Sequence, residues 1–332
     1  MTTFEEVGPG KPITESIRVD KVSPRARLTH RAKAILVVLF AIIGLIPVFV
    51  MVITSFKSRT EVVNVPPRII FEPTLEGFVF LLTERSQMAA AALEEAKAHA
   101  DDLGFVDRIA LNAGQKVNGP SDFVRRLGNS LIIGAGSTFF SVTLGLFAAY
   151  AFSRFELPGK GDLLFFILST RMLPAVVVAV PLFLFFRQLG LHDTHLGMII
   201  LYTVFNLSLS TWLLKGFIDE IPKEYEEAAM VDGYSRWQAF FKIVLPQSTT
   251  GLAATTVFCF IFAWNEYAFA LMLTSETART APPSIATMLG RGGIEWSAIA
   301  AGTLAFLIPV VIIAFALRRH LLRGVTFGAI RQ

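Results

Sequence analysis

The chain has 332 residues, 53% of them hydrophobic and only 17% charged, against about a quarter charged in an ordinary water-soluble domain. The net charge of +4 comes with no basic stripe interleaved with aromatics, which excludes a nucleic-acid surface. The single cysteine, Cys259, excludes an internal disulfide and a cysteine metal cluster.

The charges avoid several long apolar runs, and a run of about 20 apolar residues crosses a bilayer as a helix. These runs are continuous rather than alternating, so they read as helices and not as barrel strands. The expected fold is all-α, a polytopic transmembrane bundle of six spans. Residues 1–33 are polar, with Gly and Pro, and read as a loosely ordered N-terminal tail. The first span is Ala34–Ser55. It begins far from Met1 and lacks a small-residue cleavage site, so it is not a cleaved signal. Residues 56–128 form a long connecting segment. Within it, Thr83–Leu103 is rich in Ala, Glu and Lys and predicts a soluble helix. Asn112–Pro120 reads as a loop. The core, residues 129–317, holds the spans Asn129–Ser153, Asp162–Phe186, Leu196–Phe217, Gly251–Thr274 and Ser297–Leu317. Residues 318–332 form the C-terminal tail.

Lys and Arg near the span ends set the orientation. Arg25, Arg27, Arg31 and Lys33 precede span one, and Arg154 and Lys160 lie between spans two and three. Lys215, Lys223, Arg236 and Lys242 lie between spans four and five, and Arg318, Arg319 and Arg323 follow span six. Alternating spans put all four groups on one side. Both termini and the loop 218–247 are therefore expected in the cytoplasm, with 56–128 outside, where long segments translocate largely regardless of charge.

The loop before span five, Asp219–Pro246, reads as two short helices joined by a tight turn. Pro222 suits a first helical turn, and Glu224 and Glu226 favour its positive end. Gly233 supplies the left-handed residue that ends the helix. Ser235 and Gln238 fit a capping box. Trp237, Phe240, Phe241, Val244 and Leu245 recur at helical spacing as one apolar face, and Pro246 ends the second helix. Ala228 and Ala229 leave a small-residue surface for close approach. A bare membrane-surface helix would more often carry Lys or Arg at its margin.

Glu227, Ala228, Ala229, Gly233, Ile243, Leu245 and Pro246 match every position of one family pattern: Glu-Ala-Ala, three residues, Gly, nine residues, Ile, one residue, Leu-Pro. The stretch resembles the cytoplasmic loop of binding-protein-dependent ABC importer permeases, and the chain from Ala34 onward is similar to their maltose-type carbohydrate subfamily. The Asn129-Ser130 pair, the Trp264-Asn265-Glu266 run and the terminal Arg323–Gln332 carry the same likeness, while the Ala-rich insertion departs from it. The resemblance implies a permease half for a sugar, oligosaccharide or polyol, paired with a second homologous permease subunit in the membrane lipid. It implies that Glu227, Ala228, Ala229, Asp232, Gly233, Ile243, Leu245 and Pro246 seat in a cytoplasmic ATPase dimer. An extracytoplasmic substrate-binding protein would contact Thr287, Leu289 and Gly290 in the loop Ser275–Trp296.

Other chemistry is missing from the sequence. Gly159-Lys160 is followed by Gly161 and lacks the upstream glycine of a phosphate-binding loop, and the five histidines are scattered. The chain is thus expected to hold no cofactor and not to be an enzyme, with ATP and Mg used by the partner. Arg171, Asn206, Asn265 and Glu266 are polar at membrane depth, where such residues are rare and usually functional. They are candidates for the substrate path, with Glu266 a possible partner for Arg171. Asn206, Ser208 and Ser210 could line the path or glue helices together by hydrogen bonds, with glue the favoured reading. An ATP-independent secondary transporter would show paired inverted repeats, and none is evident.

Overall fold

The computed structural model describes residues 24–66, 68–290 and 293–328. Residues 24–50 belong to one compact unit and the chain from Met51 to the other. The first helix, α1, runs Pro24–Ser55. It starts ten residues before the expected span, with proline in its first turn, where a missing N–H costs nothing. The rest of the expected N-terminal tail, residues 1–23, lies outside the described residues, as do the last four of the C-terminal motif.

A short helix, α2 (Arg59–Val62), leads to α3 (Glu76–Leu82). The insertion follows, and it corrects the expectation of one helix over Thr83–Leu103. Residues Thr83–Gln87 form strand β1, and only Ala90–Ala98 forms the Ala-rich helix, α4. After α5 (Phe105–Asn112), the stretch read as a loop contains strand β2 (Gln115–Pro120). β1 and β2 pair antiparallel, from Thr83 opposite Pro120 to Gln87 opposite Gln115. Gly114, at φ +72°, makes the turn into β2, and Pro120 takes the strand end, where its missing N–H interrupts no ladder. Long-range pairing thus overrides local helix propensity here. Arg85 adds to it by stacking on Phe80 at 3.5 Å.

The bundle proper consists of α6 (Phe123–Arg154), α7 (Lys160–Ser169), α8 (Ala175–Gln188) and α9 (His195–Asp219). It continues through α10 (Glu224–Val231), α11 (Arg236–Ala239), α12 (Leu245–Gln247), α13 (Thr249–Trp264) and α14 (Ala268–Leu273). After α15 (Ala281–Ala286), two-residue strands β3 (Leu289–Gly290) and β4 (Gly293–Ile294) pair before the last helix, α16 (Trp296–Gly328). The protein is therefore mostly helical, with two small antiparallel pairs, rather than strictly all-α.

Among the described residues, four helices are long and apolar enough to cross a membrane, and two bent pairs raise the number to six. The third expected span is one of these pairs. Its axis turns by 90° between α7 and α8, because Pro174 supplies no N–H to continue the ladder. The fifth differs more. Gly251–Thr274 is not one helix: α13 ends at Trp264 and α14 starts at Ala268.

The bundle is held by small residues and by polar glue. Gly145 of α6 lies so close to α9 that a Cβ there would sit 2.1 Å from Ser210 Oγ. Ser210 donates to the Ser141 carbonyl at 2.7 Å, and Asn206 Nδ2 to the Cys259 carbonyl at 3.0 Å. Such contacts replace the hydrophobic drive that is absent between helices in lipid. Phe260, Trp264 and Phe306 stack between α13 and α16, and the Trp264 indole donates to the Phe306 carbonyl at 3.1 Å.

Candidate functional site

Three polar assemblies are arranged along this scaffold. The first is at the Arg154 end of α6, where α10 and α11 form the expected helical pair. Gly233 has φ +89°. Its N–H bonds the Met230 carbonyl at 3.1 Å and the Tyr234 N–H bonds Ala229 at 3.0 Å, the paired bonds of a Schellman ending. Ser235 and Gln238 complete a capping box at the start of α11. The expected apolar face is split. Phe240 and Val244 are fully buried, whereas Trp237 and Phe241 are 64% and 51% exposed and stack on each other. The split has a backbone cause: residues Phe240–Val244 form a turn of π-helix, which rotates the side chains off the 3.6-residue period. Pro246 does not end the second helix. The chain stays helical to Gln247 and bends by 72° at Ser248 into α13.

Of the recognition residues, Glu227, Ala228, Asp232 and Pro246 are exposed, Ile243 and Leu245 are half-buried, and Ala229 is buried. The small-residue surface is thus Ala228 alone. Val231, Tyr225 and Tyr234 are exposed beside it. Sequence reasoning missed the residue that seats this pair. Glu226 is buried, accepts from the Tyr150 hydroxyl at 2.8 Å and is ion-paired with Arg154. Arg154 Nη2 also donates to the Ile221 carbonyl at 3.0 Å.

The second assembly is at the Asn129 end. Asp193, in the left-handed region at φ +55°, accepts from the backbone N–H groups of Ser275, Glu276, Thr277 and Ala278 at 2.9–3.3 Å. Burial alone would raise its pKa, but these four donors hold the carboxyl well below the usual carboxylate range. Asn129 Nδ2 donates to the carbonyls of Thr277 and Arg279, its oxygen is 2.8 Å from His195 Nε2, and Ser130 accepts from the Ala281 N–H. The first part of the loop Ser275–Trp296 is therefore pinned. Thr287 lies exposed just past α15, and Leu289 and Gly290 form β3.

The third assembly lies between these ends. Arg171, Tyr202, Asn206 and Glu266 line one cavity of about 210 Å³, together with Phe205, Phe262 and Phe269. Three of the four candidate path residues thus converge. Asn265 does not join them; it is exposed and bonds back to the Ile261 carbonyl. The expected Arg171–Glu266 pair is not formed. Glu266 accepts from the Tyr202 hydroxyl at 2.6 Å and from the N–H groups of Phe269 and Ala270 at 2.9 and 3.0 Å. It caps α14, which is why span five breaks at this point. Arg171 stacks on Phe262 at 4.3 Å, and its Nη1 has no hydrogen-bond partner among the described residues. Nothing local in the sequence marks Tyr202 or Asp193; both are found only through partners more than 60 residues away.

Apolar helices around a polar cavity, with an exposed helical pair at one end, define a multi-pass membrane transport subunit. The family model described as binding-protein-dependent transport system inner membrane component matches residues 141–327, and the chain belongs to that family. Over 296 residues, 89% of this chain and 94% of the relative, it is 31% identical to the trehalose/maltose transport system permease protein MalG of Thermococcus litoralis. Over 212 residues, 63% of this chain and 77% of the relative, it is 39% identical to the trehalose transport system permease protein SugB of Mycobacterium tuberculosis. In fold it is similar to a chain of a bacterial ABC transporter involved in the import of the acidic polysaccharide alginate, with 20% identity, a TM-score of 0.60 and coverage of 90% and 98% of the two chains. The chain is thus an inner-membrane permease component of an ABC import system.

Proposed function

We propose that this chain forms half of the translocation pathway for a sugar, oligosaccharide or polyol and is driven by a separate ATPase dimer, which uses ATP and Mg. In this reading the six spans place both termini and the α10–α11 pair in the cytoplasm. A second permease subunit completes the pathway. A substrate-binding protein docks at the Asn129 end, where Thr287, Leu289 and Gly290 follow α15.

The observation that carries the reading is the rigid, exposed pair. Glu227 and Ala228 stand on its surface while the Schellman turn and the capping box fix the angle between its helices. Glu227 offers a charged hydrogen bond, worth about 1.5–3 kcal/mol net, to a basic group on the ATPase. Nucleotide then favours one arrangement of the spans through differential contacts. The cavity of Arg171, Asn206, Glu266 and Tyr202 supplies polar groups and aromatic faces suited to a hydroxylated ring.

The test is purification of the permease pair with its ATPase, carrying Glu227→Lys or Gly233→Val, followed by receptor-stimulated ATPase measurement. The expected result is inserted, paired permease that holds the ATPase poorly and responds little to receptor. Normal stimulation and ATPase binding in both variants would end this reading.

A further inference from the structure

The pair α10–α11 precedes α13 in the chain, yet its buried ion pair is made to α6, more than 70 residues earlier. The Arg154 and Glu226 side chains are 4% and 5% exposed. The Tyr150 hydroxyl adds a 2.8 Å bond to Glu226, and the Tyr150 ring packs edge-on against the fully buried Phe240 at 4.7 Å. Arg154 reaches on to the Ile221 carbonyl, so the connection out of α9 is tied in as well. Toward α13, by contrast, the path runs through the π-helical turn and the 72° bend at Ser248. The guanidinium and the phenol come from α6 and the carboxylate from α10, and removing either charged partner from a buried pair leaves an uncompensated charge.

We propose that Glu226 is a positioning residue that locks the coupling pair to α6 and α9. The three then move as one body, and the bend at Ser248 is where that body flexes against α13. Force taken up at Glu227 enters the bundle through Glu226 and Arg154 rather than along the chain into α13. This inference rests on the coupling reading above, and deepens it by naming the residue that passes the motion on.

The experiment uses the assembled transporter in liposomes, with Cys259→Ala and Asn265→Cys as the reference protein. The readout is the rate at which N-ethylmaleimide labels position 265, with and without vanadate-trapped nucleotide. In the reference protein, trapping changes the rate. With Glu226→Gln the assembled complex should bind the ATPase with unchanged affinity, because the Glu227 surface is intact. The nucleotide-dependent change should shrink by about tenfold, the factor that a lost charged hydrogen bond implies. Arg154→Gln should match it, and the double variant should be no worse than either single one, as for groups that act as a unit. Tyr150→Phe leaves the charges paired and covers the case in which the charge variants do not assemble; a smaller reduction is expected. Multiplying single effects, or an unchanged response in Tyr150→Phe alongside mere loss of yield in Glu226→Gln, would show a structural pair only. No change in the reference protein itself tells against the coupling reading instead.

Discussion

Replacing Gly233 with Ala isolates a backbone effect at the coupling turn. A Cβ added at Gly233 meets no heavy atom within 4 Å, so the substitution carries no steric term from neighbours. What remains is the cost of holding an L-residue at φ +89°, about 1–2 kcal/mol. The Schellman bonds from Gly233 and Tyr234 hold the turn, and their loss lets α11 swing away from α10. If only the native turn fits the ATPase, the apparent affinity falls by the fraction of chains that keep it. An energy of about 1.4 kcal/mol lowers the equilibrium constant of the turn tenfold, which is the largest factor it can impose on binding. The measurement is binding of purified ATPase to the permease pair held in lipid nanodiscs. Gly233→Ala should bind more weakly, by at most about tenfold. Gly233→Asn should bind better than Ala, because Asn tolerates the left-handed region. Ala binding as tightly as Gly, or Asn more weakly than Ala, would refute the argument that backbone conformation sets this contact.

Gly145→Val should break the α6–α9 contact, since even its Cβ would lie 2.7 Å from Ser210 Cβ; a large drop in thermal stability in detergent is expected, and an unchanged melting point would show that the helices separate freely. Arg171→Leu should leave the transporter assembled but impair uptake of whatever sugar the cognate receptor binds, because Arg171 lines the cavity and its Nη1 has no hydrogen-bond partner among the described residues; loss of assembly would make it a structural residue, and full uptake would remove it from the path. Asp193 has a depressed carboxyl pKa, so its contribution is complete above the unfolded carboxylate value of about 3.9 and is lost as the pH falls below it. Asp193→Asn should therefore be less stable than the parent at pH 7 and should converge with it in strong acid; parallel stability curves from pH 7 down to pH 3 would contradict the clamp.

Local features were the most legible in the sequence. Gly233, Ser235 and Gln238 act within five residues of one another, and the structure places each in its expected role. The apolar runs marked the membrane helices, because hydrocarbon demands length and composition alone. What stayed hidden depends on partners far along the chain. Thr83–Gln87 has no strong strand pattern of its own and becomes a strand only because Gln115–Pro120 lies beside it. Glu226 looks like one more acid in a helix start, and its burial comes from Tyr150 and Arg154 on another helix. Glu266 read as a partner for Arg171, but the broken helix itself supplies its partners through the free N–H groups of α14. The π-helical turn at Phe240–Val244 has no signature in residue spacing, so a face that is continuous at 3.6 residues per turn became two.

The stem formed by β1 and β2 has an evolutionary consequence. It brings Thr83 and Pro120 side by side, and Ser121 continues the closure by donating to the Leu82 carbonyl. An excursion whose two ends already touch imposes no displacement on the helices that flank it. Length can then be gained or lost beyond the stem without disturbing the transport machinery, much as a graft leaves its rootstock unchanged. α5 is anchored, with Ala110 and Leu111 buried, but α4 has no buried residue. Variation between related transporters should therefore collect in α4 and its flanks, and a tag or fluorescent domain spliced there would ride outside the bundle.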